Sequence, residues 1–143
     1  MSIYYRNSVV LNSYPEIDLD VMRELLFKIA KDHNKHIKRL EINIMNDTKI
    51  LKWNKIILNH DYYTDTISMN YAEDKELIEA DILLSLDRII ENARKNKCSV
   101  GNEFFRITIH SMLHLIGYQD DSNENKTKMR KKEDEYLIKV SFT

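Results

Sequence analysis

The 143 residues include 22 basic and 23 acidic side chains, for a net charge of −1, with 43% hydrophobic and 31% charged residues. That balance fits one soluble domain able to bury a core, and it excludes a chain that holds nucleic acid by bulk positive charge. Two Gly, one Pro and a single Cys exclude long flexible linkers and an intrachain disulfide.

The first residues, Met1-Ser2-Ile3-Tyr4-Tyr5-Arg6, have no basic stretch leading into an apolar run, so no signal peptide is expected. No apolar run approaches the roughly 20 residues that span a bilayer. A cytoplasmic protein with no membrane partner is expected. Basic residues cluster locally at Lys35, Lys38 and Arg39, at Arg94, Lys95 and Lys97, and at Lys126, Lys128, Arg130, Lys131 and Lys132. Each cluster reads first as a solvated helix end or face, and permits an anionic partner without requiring one.

In chain order, a strand is predicted at residues 8–11. Asp18 then caps a helix in which Met22, Leu25, Leu26 and Ile29 recur at helical spacing. Residues 40–45 alternate, with Leu40, Ile42 and Ile44 against Glu41 and Asn43, as a half-buried strand does. Asp47 is the predicted cap of a helix whose Ile50, Leu51, Asn54, Ile57 and Leu58 share one side. Residues 66–71 alternate again, and residues 82–86 form the more continuous apolar run of an inner strand. Asp87 is the predicted cap of a third helix, ending in the basic 94–97 stretch, where positive charge suits a C-terminus.

A helix over residues 102–116 follows. Phe104, Phe105, Ile107, Ile109, Met112, Leu113, Leu115 and Ile116 leave it almost no polar face, which predicts burial at the centre of the domain. Gly117 supplies a left-handed stop. A last helix over 125–139 carries Met129, Tyr136, Leu137 and Val140 at matching intervals. Strands interleaved with helices, then helices alone, predict an α+β fold in one domain over residues 1–143.

Two imidazoles interrupt the apolar helix. His110 and His114 are four residues apart, so both rings leave one face and can share a metal ion. Asp120 lies six residues beyond His114, past the turn at Gly117, where a chain reversal can bring its carboxylate over the rings. Two neutral nitrogens and one anionic oxygen would hold a divalent ion and leave a coordination position for water or substrate. The competing reading is a pair of hydrogen-bonded core histidines; the spacing, closed by Gly and an acid, favours metal. A zinc-peptidase helix has the same histidine spacing, with a Glu after the first His as general base. Here that residue is Ser111, which cannot take a proton from water at neutral pH, so such a peptidase is not expected.

The run His110-Ser111-Met112-Leu113-His114-Leu115-Ile116-Gly117-Tyr118-Gln119-Asp120 resembles the H-G-x-L-H-L-x-G-Y-D-H signature of the YbeY family of endoribonucleases. Asn59-His60-Asp61-Tyr62-Tyr63-Thr64-Asp65-Thr66-Ile67-Ser68 is similar to the family's D-x-x-T-D-V-L-S-F segment, and Ala80-Asp81-Ile82 to the Gly-Asp-Ile that opens its next strand. The resemblance implies a four-stranded mixed sheet with about five helices and a central buried helix carrying the metal histidines. It implies one divalent metal ion, zinc, on His110, His114 and Asp120, with His110 and His114 as catalytic residues. It further implies single-strand-specific cleavage of RNA, in ribosomal RNA maturation and ribosome quality control, with ribosome components as partners.

Three departures stand out. The third family ligand is His where this chain has Asp120, a harder donor that brings manganese, iron or nickel beside zinc. Ser111 replaces a family Gly, which implies a changed packing distance. Leu58 stands where many members carry an Arg linked to activity, so either another basic group supplies that charge or the activity differs. Asp61, Thr64 and Asp65 either build the turn before the strand or line the cleft. His60 reads as a loop histidine rather than a fourth ligand. Tyr62, Tyr63 and Tyr118 are candidate stacking surfaces for RNA bases, and the general base is unassigned. The alternatives are a ribosome-associated factor with a structural metal and a metal-dependent hydrolase of another substrate.

Overall fold

The computed structural model describes residues 2–59 and 64–140. A four-stranded sheet of order β1-β2-β4-β3 comprises β1 (Ser2–Arg6), β2 (His36–Met45), β3 (Thr66–Asn70) and β4 (Leu77–Ser85). β1, β2 and β4 run parallel, and β3 pairs antiparallel to β4, so the sheet is mixed. Five α-helices accompany it: α1 (Leu19–Asp32), α2 (Asp47–Leu58), α3 (Leu86–Asn96), α4 (Val100–Ile116) and α5 (Asn123–Leu137). This is the α+β architecture expected, and none of the described helices is long and apolar enough to cross a membrane.

The alternation in β2 and β4 sets which sheet face is buried. Leu40, Ile42 and Ile44 lie opposite Ala80, Ile82 and Leu84 in the parallel register, and all six enter the main core with Met22, Leu26 and Ile29 of α1. Against that layer packs α4, whose Phe104, Phe105, Ile109, Met112 and Leu113 are fully buried. Burying each such side chain contributes about 1.5–3 kcal/mol. The opposite sheet face is covered by α2, where Met45, Ile50, Ile67 and Leu83 form a smaller cluster.

The first strand differs from expectation. Residues 8–11 lie in a 3-10 turn, Ser8–Ser13, and the strand precedes it at Ser2–Arg6. Asn7 ends that strand in the left-handed region (φ 60°), which Asn tolerates better than most residues. Val9 and Val10, the source of the strand signal, are exposed.

Two caps also move. Asn46 caps α2, accepting the Lys49 N–H at 2.9 Å, and Ser85 caps α3, accepting the Arg88 N–H at 3.2 Å. Asp47 and Asp87 instead lash the two helix starts together. The Asp87 carboxylate accepts the Asp47 N–H at 2.8 Å, while the Asp47 carboxylate takes the Ser85 hydroxyl at 2.7 Å and the Arg88 guanidinium at 2.8 Å. Asp18 caps α1 as expected, accepting from the backbone of Asp20 and Val21. Gly117, at φ 118°, ends α4.

Candidate metal centre

The last two turns of α4 present His110 and His114 on one face, and the αL turn at Gly117 folds the chain back so that Asp120 meets them. The two Nε2 atoms face each other at 3.1 Å, and Asp120 Oδ2 lies 3.3 Å from His114 Nε2 and 3.7 Å from His110 Nε2. One ligand atom from each of the three lies within 4.8 Å of the others. Four nitrogen ligands around tetrahedral zinc, at Zn–N of about 2.0–2.1 Å, are about 3.3–3.4 Å apart, so these separations suit a shared ion.

The outward nitrogens decide the protonation of the inward ones. His114 Nδ1–H donates to the Tyr118 carbonyl at 3.1 Å, and His110 Nδ1–H donates to Glu133 Oε2 at 2.6 Å. A carbonyl can only accept, and an ionised carboxylate likewise, so each neutral ring carries its proton on Nδ1. Both Nε2 atoms are then bare lone pairs pointed at one another. Such an arrangement is repulsive unless a shared proton or a metal ion sits between them, and with the Asp120 carboxylate beside both the residues present fit a metal ion.

Glu133 went unnoticed in the sequence. It projects from α5, is buried, and also accepts from Arg106 Nη1 of α4 at 3.1 Å; Arg106 in turn reaches Asp134 at 2.7 Å. Carboxylate-to-histidine support of this kind fixes ring orientation and raises ligand basicity. Burial works against the charged form of His110, but Glu133, Asp120 and Asp65 outweigh it and lift its pKa above the ordinary imidazole value. The only sequence signal was an acidic residue on the buried side of α5, between Met129 and Tyr136.

Two cavities meet at the centre and share Asp65, His110 and Asp120. One, of about 520 Å³, is walled by Leu58, residues 64–68, Asn70, His114 and Leu115. The other, of about 280 Å³, extends along α5 past Lys126, Met129, Arg130 and Glu133. Leu58, expected on the apolar side of its helix, is 45% exposed and faces the first cavity.

Thr64 and Asp65 take both roles anticipated for them. Thr64 Oγ1–H donates to the Thr66 carbonyl and the Asp65 carbonyl accepts the Ser85 N–H, while both residues line the cleft. Burial raises the Asp65 pKa, with His110 opposing the rise. His60, Asp61, Tyr62 and Tyr63 lie outside the described residues. Tyr118 turns away from the centre: its hydroxyl bonds His33 Nε2 at 2.9 Å, and it lines a separate cavity with His33 and Lys35. Ser111, where a changed packing distance was expected, uses its hydroxyl to tie α4 to the sheet, meeting Thr66 Oγ1 at 2.7 Å and the Ile107 carbonyl at 2.8 Å.

The neighbouring acid, Asp121, is otherwise engaged, accepting from the Asn125 side chain at 2.7 Å. Among the described residues, five members of the basic clusters are paired: Lys38 with Glu79, Arg39 with Glu41 and Asp81, Arg94 with Glu91, Lys128 with Glu124 and Lys132 with Glu135.

Comparisons with known proteins identify the family and the fold. The family model described as Endoribonuclease YbeY matches residues 10–141. A protein of that name from Cytophaga hutchinsonii is 40% identical over 121 residues, covering 85% of each chain. Another from Karelsulcia muelleri is 38% identical over 134 residues, covering 90% of this chain and 94% of its own. The solution structure of TM1509 from Thermotoga maritima superposes with a TM-score of 0.66 over 97% of this chain and 89% of its own; at 21% identity it speaks for the fold. The resemblance carried by residues 110–120 is thus a membership: the chain belongs to the Endoribonuclease YbeY family of hydrolytic endoribonucleases.

Proposed function

We propose that residues 1–143 form one metal-dependent hydrolase unit that cleaves single-stranded RNA, with His110, His114 and Asp120 holding one divalent ion. Zinc suits the two imidazoles; the Asp120 carboxylate also admits manganese, iron or nickel. Ribosomal RNA is the proposed substrate, encountered in the cytoplasm with ribosome components during rRNA maturation and ribosome quality control. The observation that carries this reading is the pair of Nε2 atoms turned towards each other at 3.1 Å with the Asp120 carboxylate 3.3 Å from one of them.

His110, His114 and Asp120 would hold the ion at the wall of the 520 Å³ cavity, and three protein ligands would leave room in its coordination for water or substrate. When bound, the ion would supply Lewis acidity to a phosphoryl oxygen and to a water. The chain does the rest. Glu133 and the Tyr118 carbonyl hold the two rings in the tautomer that presents Nε2 inward. Asp65 lines both cavities beside His110 and Asp120 without joining the ligand cluster, and it is the carboxylate placed to accept the proton of the attacking water.

The test pairs elemental analysis of purified protein with cleavage of single-stranded RNA with and without chelator. One metal per chain and chelator-sensitive cleavage are expected, and His110→Ala and His114→Ala should each lose the metal. Stoichiometric metal in both variants would refute the ligand assignment. A folded, metal-loaded wild type that leaves RNA intact with every divalent ion would refute the nuclease reading and favour a ribosome-associated factor with a structural metal.

A further inference from the structure

The two walls of the centre differ in charge. No Lys or Arg lines the cavity on the Leu58 side among the described residues. On the α5 side the cavity is lined by Arg106, Lys126 and Arg130. Arg106 is spent on Glu133 and Asp134. Lys126 and Arg130 are exposed, and among the described residues neither side chain forms an ion pair. They are separated by four positions on α5, so they share a face, about 6 Å apart along the axis at 1.5 Å per residue. Met129 and Glu133 lie on that same face and are buried, which fixes its direction: Glu133 grips His110, and Arg130 and Lys126 continue from there along the rim.

We infer that Lys126 and Arg130 form the phosphate-binding rail of the site, holding the RNA backbone on the α5 side of the metal centre. The inference rests on the proposed action on single-stranded RNA. Acidic neighbours in this cavity do not cancel the rail. Glu133 is matched by Arg106, and Asp65 and Asp120 face the metal position. Glu103 feels the charges of Arg106 and Arg130, but its side chain is buried behind the rim and forms no ion pair with Arg130 among the described residues; burial raises its pKa. Exposed, and without an ion pair among the described residues, Lys126 and Arg130 are left to meet anionic oxygens by charge-assisted hydrogen bonds that Arg can make bidentate. The rail positions substrate and takes no part in bond breaking, so binding should suffer without kcat.

The experiment uses the metal-loaded protein and a fluorescent single-stranded oligoribonucleotide, with Kd read by anisotropy on ice and KM and kcat from initial rates. The double variant Lys126→Ala/Arg130→Ala should raise Kd and KM by about tenfold and leave kcat and metal content unchanged. Each lost phosphate contact should flatten the dependence of log K on log salt by about 0.7, so by about 1.4 for the pair. The control removes the same charge elsewhere. Lys95→Ala/Lys131→Ala takes one exposed cation from α3 and one from the solvent side of α5, and should change Kd less than twofold. Unchanged Kd and salt slope in the rail variant, or an equal loss in the control, would overturn the inference alone. A wild type that binds the strand without cleaving it would overturn only the nuclease reading, and the Kd comparison would still decide the rail. A wild type that does not bind the strand would overturn both.

Discussion

Glu133→Gln isolates the contribution of one buried hydrogen bond to the metal centre. The side chain keeps its volume, so the packing beside Met129 is preserved. Its oxygen can still accept from His110 Nδ1–H, but the amide nitrogen that replaces the other oxygen then confronts Arg106 Nη1, donor against donor, where a 3.1 Å ion pair stood. One of the two contacts must fail, and the ring loses its anionic partner in either case. Loss of such support typically costs 10–100-fold in metal affinity, about 1.4–2.7 kcal/mol. The fold should survive. Stranding a buried charge costs about 3–5 kcal/mol, but Arg106 retains Asp134 at 2.7 Å and is not stranded. Competition against a chelator of known zinc affinity reads the first quantity, and thermal unfolding of the metal-free protein reads the second. Asp134→Asn touches Arg106 without touching His110 and should bind metal as the wild type does. A folded Glu133→Gln protein with wild-type affinity would show that the 2.6 Å bond does not orient the ligand, and would refute the reasoning.

Asp120→Asn should lose the metal and Asp121→Asn keep it, as read by elemental analysis, because only Asp120 faces the imidazoles while Asp121 holds Asn125. Asp65→Asn should retain the metal but lower kcat by about 10²–10⁴-fold, the usual contribution of a general base; a kcat within threefold of wild type would remove Asp65 from the chemistry. Leu58→Arg should raise kcat/KM by about tenfold, since it puts a guanidinium into a cavity whose described lining holds no cation. Its melting temperature should change little because Leu58 is exposed, and a stable variant with no gain would mean that the side chain does not reach the substrate.

What the sequence made legible was local. His110, His114 and Asp120 lie within eleven residues, on one helix and the turn that ends it, so helical spacing plus a left-handed Gly was enough to bring them together. The buried strands declared themselves by alternation and the central helix by its lack of a polar face. The residues that complete the centre are separated in the chain. Glu133 is 23 positions from His110 and Asp65 is 45, and only the packing of α5 and β3 against α4 unites them. The misplaced caps have a related cause. Asp47 and Asp87 have the right chemistry for capping, yet each is drawn into a contact with the other's helix, a competition between two N-termini that neither local sequence reveals.

Charge balance connects the ligand set to its surroundings. Asp65, Asp120 and Glu133 place three carboxylates around two imidazoles, and Arg106 is the cation committed among them. A proton shared between the two Nε2 atoms would leave this cluster negative, a poor host for a phosphodiester. A divalent ion there would add two positive charges to that of Arg106, which Asp134 also engages, and would so offset most of the repulsion a polyanion meets. Asp120 matters to this balance in a way a third histidine would not: it supplies the anionic charge that a divalent cation, and not a proton, neutralises. With that negative charge offset, the field along the α5 wall would be set by Lys126 and Arg130, which form no ion pair among the described residues.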